Sequence, residues 1–213
     1  MSVIIINPNS TAAMTDAMVE AAKDAVPEQS FEGWTSLKGP ASIQGEADGA
    51  LAEPHLLELI VEADAARADG IIIGCFDDTA LDQAREHASC PVIGIGQASY
   101  SYAALRGWRF SVVTTLSVSV GILERNIHAL GLGRYLGTVR ASDVPVLALH
   151  EDQETPAAMV AEEAMRAERE DKVDAIILGC AGMVNIVEAV RQSVRVPVID
   201  PAIAAPKAMR WLL

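Results

Sequence analysis

The chain is short of cations, of cysteine and of long apolar runs, and each shortage removes a class of function. Its 213 residues carry 16 Lys and Arg against 29 Asp and Glu, a formal net charge of -13. A phosphate-backbone partner needs a basic stripe, whereas here the basic residues are scattered, so no nucleic acid is expected as a partner. The apolar run at the start, Val3 to Ile6, is stopped by Asn7-Pro8, which leaves neither a signal peptide nor a membrane span. A cytoplasmic protein with no membrane partner is the expectation. Three Cys cannot all pair, and free thiols are the default in a reducing compartment. There is no C-x-x-C or H-x-x-x-H, and His55, His87, His128 and His150 lie far apart, so no metal is expected. Of the four Lys, only Lys172 comes near a repeated motif, at the start of its strand and away from Cys180, which argues against a pyridoxal Schiff base. No G-x-x-x-x-G-K-[ST] occurs. The segment Gly94-Ile95-Gly96-Gln97-Ala98-Ser99 ends in Ser where a dinucleotide fingerprint has Gly or Ala, and it reads as a tight strand-to-helix turn. No cofactor is expected.

What is present is a repeat. Ala68-Asp69-Gly70-Ile71-Ile72-Ile73-Gly74-Cys75 reads against Val173-Asp174-Ala175-Ile176-Ile177-Leu178-Gly179-Cys180 at an offset of 105 residues. Cys90-Pro91-Val92-Ile93-Gly94 matches Val196-Pro197-Val198-Ile199-Asp200 at an offset of 106, and Val3 to Asn7 has a counterpart in Ser111 to Thr115. The unit is too long for a solenoid, whose periods run to roughly 50 residues, so two similar α/β halves are expected. Cys75 and Cys180 each close an apolar, β-branched run, which places both thiols at strand ends. The carboxyl end of a parallel strand is where open α/β folds keep their chemistry, and a pseudo-twofold brings the two thiols face to face as a paired acid and base. Cys90 precedes Pro91, has Val196 as its counterpart, and reads as structural.

Alternation of continuous apolar strands with helical segments predicts parallel sheets. Strands are expected at 3–7, 31–36, up to Cys75, 92–95, 110–114, 137–140, 175–179 and 196–199. Helices are expected at 12–26, 54–67, 79–87, 99–105, 118–130, 156–171, 184–191 and 201–213. Ser10 or Thr11 is the expected cap of the first helix and Asp77 or Asp78 that of the helix containing Leu81. The fold class is therefore α/β, with two pseudosymmetric Rossmann-like lobes of mainly parallel sheet. Residues 1–97 form the first lobe, residues 98–200 the second, and helix 201–213 packs back on the first.

Five ordered motifs then carry a resemblance over nearly the whole chain: Asn7-Pro8-Asn9-Ser10-Thr11, Gly39-Pro40-Ala41-Ser42-Ile43, Gly74-Cys75-Phe76-Asp77-Asp78, Val112-Val113-Thr114-Thr115 and Gly179-Cys180-Ala181-Gly182-Met183. Together they resemble the Asp/Glu/hydantoin racemase superfamily, with the hydantoin and allantoin racemases as the nearest branch. After the Ser-Ile pair that branch usually carries an acidic residue and an aromatic; here Gln44, Gly45, Glu46 and Ala47 stand, which leaves the ring substituent open.

The resemblance implies an active site in the cleft between the two lobes and cofactor-independent inversion by Cys75 and Cys180. Racemisation takes a proton from one face of a carbon and returns one to the other, so two groups of matched basicity must flank it. A helix N-terminus after each Cys is expected to lower the thiol pKa, leaving one thiolate and one thiol. Asn9, Ser10, Thr115 and the amides of Phe76, Asp77, Ala181 and Gly182 are the expected donors to substrate and to the developing enolate. Thr114 is placed at the cleft, and Ser42 and Ile43 at the ring. The partners expected are a small-molecule substrate and further copies of the chain in a homo-oligomer. Other readings are an Asp/Glu racemase, a maleate-type isomerase, a malonate decarboxylase, or a non-catalytic binding protein with the same two lobes.

Overall fold

The computed structural model describes residues 2–151 and 154–213, except the side chains of His150 and Glu151. Two four-stranded parallel sheets form its frame. In the first, β1 (Val3–Asn7), β2 (Phe31–Thr35), β3 (Gly70–Ile73) and β4 (Val92–Gly94) lie in the order β2-β1-β3-β4. In the second, β5 (Phe110–Thr114), β6 (Leu136–Ala141), β7 (Ala175–Leu178) and β8 (Val198–Ile199) lie in the order β6-β5-β7-β8. The expected repeat is thus realised as the same strand order twice. Register matches as well: β1 pairs Ile6 with Ile73 and β5 pairs Val113 with Leu178, so each cysteine-bearing turn leaves its sheet at the same height. β3 and β7 read as unbroken apolar runs because helices cover both faces, and every residue in them is buried.

The helices are α1 (Ala12–Ala25), α2 (Glu46–Ala65), α3 (Leu81–His87), α4 (Ile95–Leu105), α5 (Val120–Ala129), α6 (Ala148–Glu151), α7 (Glu154–Asp171), α8 (Val187–Ser193) and α9 (Pro201–Met209). Several begin away from their expected positions. α2 starts at Glu46, and Pro54 lies inside it. Proline removes one helical hydrogen bond, but Pro54 and Ala50, whose carbonyl loses its donor, are both exposed, while Ala52, Leu56, Ile60 and Ala63 anchor the other face. α4 follows β4 without a loop. Its first-turn amides, Gly96 N and Gln97 N, donate to the two carboxyl oxygens of Asp78 at 2.9 and 2.7 Å. Gly94 and Gly96 make room for that contact, since a Cβ on Gly94 would sit 1.9 Å from Asp78 Oδ1. Asp78 therefore serves α4 and not α3, whose first residue follows Ala80 with no side-chain cap. α5 and α8 are each preceded by 3-10 turns, at Ser117–Ser119 and Ala181–Ile186, and the short α6 was not foreseen.

One hydrophobic core joins the sheets: Val3, Ile5 and Phe31 share a cluster with Phe110, Val112 and Ile177. Tyr100 on α4 sits at its centre, edge-on to Phe76 at 5.4 Å and stacked on Phe110 at 5.8 Å. α9 returns to pack on α1 and α4, with Ala202, Ala205 and Met209 in the same cluster. The carboxyl ends of β1, β3, β5 and β7 consequently open onto a common cleft.

Candidate active site

Each cysteine follows a glycine that the packing demands. A Cβ at Gly74 would lie 2.7 Å from Met18 Cε, and one at Gly179 would lie 2.8 Å from Val112 Cγ1 and 2.9 Å from Thr114 Cβ. The strand end can therefore press against its neighbours and turn the next side chain into the cleft. The two thiols line a single cavity of about 40 Å³. Also on its wall are Asn9, Ile43, Phe76, Asp77, Thr114, Thr115, Ala181 and Gly182, as the sequence led us to expect. Ser10 and Ser42 are not on it. Ser10 N instead donates to Pro40 O at 2.8 Å, tying the β1 turn to the segment that carries Ile43, and Ser42 in that segment is buried without reaching the cavity wall. Sequence reasoning missed Met14, Ser119, Leu123 and Val146. Met14 lies one helical turn into α1 and was legible from helix spacing; the other three reach the cavity only through tertiary packing. Cys90 stands apart, packed against the cluster of Leu56, Ile60 and Ile71.

The β1 turn is held by a small network. Asn7 Nδ2 donates to Asn9 Oδ1 at 3.0 Å, Asn9 N to Asn7 Oδ1 at 3.1 Å, and Thr11 N to Asn9 Oδ1 at 2.9 Å. Thr11 occupies the cap position of α1, but its hydroxyl donates to Ala41 O at 2.7 Å and caps nothing. Across the cleft, Thr114 Oγ1 donates to Gly179 O at 3.0 Å and locks β5 to the Cys180 turn.

The two thiols differ in their partners. Cys75 Sγ donates to Asp77 Oδ1 at 2.8 Å, and Thr79 Oγ1 donates to the same oxygen at 2.7 Å. Cys180 Sγ instead accepts from Gly182 N at 3.4 Å. Burial pushes the Cys75 thiol well above its ordinary pKa, and the Asp77 charge adds to that. Burial also raises Cys180, to about 11, against the pull of the Gly182 and Met183 amides. This corrects the expectation of a lowered thiol pKa: removal from water outweighs the backbone dipoles, and a turn, not a helix, follows Cys75. Asp77 was expected to act only through its backbone; its carboxylate is the acceptor for Cys75. Among the described residues it is also the one charged residue on the cavity wall, where no Lys, Arg or His is found.

Among the described residues no three His, Cys, Asp or Glu cluster as metal ligands would, and no helix is long and apolar enough to cross a membrane. The Asp/Glu/hydantoin racemase family profile matches residues 3–209. The hydantoin racemase of Rhizobium meliloti is 43% identical over 216 residues, covering 100% of this chain and 89% of that protein. The solved allantoin racemase of Klebsiella pneumoniae superposes with a TM-score of 0.92 at 36% identity, over 100% of this chain and 87% of that one. That of Pseudomonas fluorescens gives 0.94 at 32% identity, over 100% and 90%. Its paired sheets and its sequence lead to one conclusion: the chain belongs to the Asp/Glu/hydantoin racemase family and is a racemase, an isomerase by reaction type.

Proposed function

We propose that this racemase inverts the C5 centre of a 5-substituted hydantoin or an allantoin-like ring, with Cys75 and Cys180 as the two acid/base groups. The observation that supports the substrate class is the wall of the cysteine cavity, where the single charge among the described residues is the Asp77 carboxylate. A free amino acid brings a carboxylate that, once withdrawn from water, needs a cationic or equivalent partner. A neutral ring needs only amides, hydroxyls and apolar surface, which Asn9, Thr115 and Ile43 supply.

In one direction the Cys180 thiolate takes the C5 proton and becomes a thiol. The electron pair passes to the adjacent ring carbonyl as an enolate, and Cys75 delivers its proton to the opposite face and is left as thiolate. The other enantiomer uses the same steps with the roles exchanged. The amides of Phe76, Asp77 and Ala181 are the donors for the enolate oxygen, where fixed dipoles stabilise charge as it develops. The first lobe, residues 1–97 with the terminal helix, carries Cys75, and the second, residues 98–200, carries Cys180. The reaction draws on no metal or organic cofactor in this reading, so activity survives dialysis against EDTA.

Polarimetry of the purified protein on single enantiomers of 5-substituted hydantoins, allantoin, aspartate and glutamate tests the assignment. A hydantoin or allantoin is expected to turn over fastest. A preference of tenfold or more for a free amino acid, about 1.4 kcal/mol of transition-state stabilisation, would overturn it.

A further inference from the structure

A larger cavity lies apart from the one between the cysteines. It measures about 780 Å³, lies between α4, α9 and the edge strands β4 and β8, and shares no lining residue with the cysteine cavity. That size is typical of sites that enclose small organic ligands, roughly 300–1,000 Å³. Its body is apolar and aromatic, with Tyr102, Trp108, Ile203 and Trp211 on the wall. Small residues make the space: Ala204 and Ala208, one turn apart on α9, stand where larger side chains would fill it. Leu105 on α4 is 68% exposed beside it, apolar surface that a bound partner would remove.

The wall of this cavity is richer in cationic residues than the chain as a whole. The protein as a whole has 16 cationic and 29 acidic residues, yet among the described residues the wall carries Arg85, Arg191, Lys207 and Arg210 with Asp200 as its single acid. Asp200 is turned toward its own helix, its Oδ1 accepting from Ala202 N at 2.9 Å. Arg85, Arg191 and Arg210 are each paired with a carboxylate, on Asp82, Glu188 and Glu28. Lys207 makes no ion pair among the described residues. It is exposed on α9, one turn beyond Ile203, and lines the same cavity.

We propose that this cavity is a second ligand site, separate from the cysteine cavity, and that it takes a small amphipathic anion: an apolar ring or chain bearing one carboxylate, the body against Trp108, Ile203 and Trp211 and the charge at Lys207. The test is calorimetric and independent of racemisation. Three probes share one apolar body: 2-naphthoate, 2-naphthylmethanol and 2-naphthylmethylammonium. Titrated into the full chain, naphthoate is expected to bind once per chain, at least tenfold tighter than the alcohol, with the ammonium weaker than both. Lys207→Glu, at an exposed position, should weaken naphthoate at least tenfold and leave the alcohol unchanged. Ala204→Trp, which fills the cavity, should abolish both while the circular dichroism spectrum is retained. Equal affinity for acid and alcohol, or naphthoate binding that survives Ala204→Trp, would overturn the proposal. So would absence of binding together with a dimer in sedimentation equilibrium that Ala204→Trp dissociates, since the groove would then be an interface between copies.

Discussion

The thiol of Cys75 and the carboxylate of Asp77 are joined by a 2.8 Å hydrogen bond in which the sulfur is the donor. After burial, the charge of Asp77 is the next influence holding the proton on Cys75. In Asp77→Asn that charge is gone, so the Cys75 pKa should fall. Alkylation of Cys75 by iodoacetamide, followed by mass spectrometry at pH 8, should be faster in the variant, and its pH midpoint should move down. A slower or unchanged rate would mean that the carboxylate does not hold the thiol.

If the two thiols flank one carbon, replacing either with Ser removes one competent acid or base, because a hydroxyl is far less acidic than a thiol. Racemisation should drop by about 10²- to 10⁴-fold in Cys75→Ser and in Cys180→Ser. The surviving Cys can still exchange the C5 hydrogen from its own face. Proton NMR in D2O on each pure enantiomer should therefore show the two variants exchanging opposite enantiomers without inversion. Exchange of the same enantiomer by both would exclude facing cysteines.

The pH profile follows from the raised thiol of Cys180. With its pKa at about 11, the basic thiolate form grows tenfold for each pH unit below that value. The logarithm of kcat/KM should accordingly climb with a slope near one between pH 7 and pH 9. A flat profile over that range would indicate a base that is already ionised at neutral pH.

Asp78 contributes a different pH dependence, to stability. Burial pushes its carboxyl up to about 8 against the opposing pull of the Gln97 and Gly96 amides. Between roughly pH 4 and pH 8 the native chain holds a proton that the unfolded chain has released, so rising pH favours unfolding by up to about 1.4 kcal/mol per unit. Above pH 8 the loss is complete. Urea midpoints of the wild type, measured against Asp78→Asn, should fall across that window and run parallel above it. Parallel curves from pH 4 upward would show that Asp78 is ionised throughout.

The cleft is closed by contacts between lobes. Gln44 Oε1 accepts from Val146 N at 3.0 Å, Glu46 pairs with Arg125, and Gly45 lies against Val118. A cavity of about 40 Å³ leaves room for little more than water, so if the substrate is the proposed ring, this strap has to lift to admit it. Gln44→Ala removes one closing hydrogen bond, about 0.5–1.5 kcal/mol, and should lower kcat/KM roughly twofold to tenfold. Stopped-flow binding would show faster substrate release. An unchanged kcat/KM would mean that the strap stays in place during turnover.

The sequence by itself determined the two-sheet plan and the positions of both cysteines. The signals for these lie in consecutive residues: an apolar run, then Gly-Cys, repeated at a fixed offset. Residues next to those motifs, such as Phe76, Thr114 and Gly182, followed with them onto the cavity wall. Tertiary structure alone decided the rest. Ser119, Leu123 and Val146 reach the site because α5 and the segment before α6 fold over it, and nothing local to them says so. Asp78 bridges to α4 across 18 residues of chain, which no capping pattern encodes. The thiol pKa values were reversed for the same reason. A helix N-terminus is a local feature and suggests a lowered value, but withdrawal from water depends on every element that closes around the sulfur, and that larger effect exists only once the two lobes have packed.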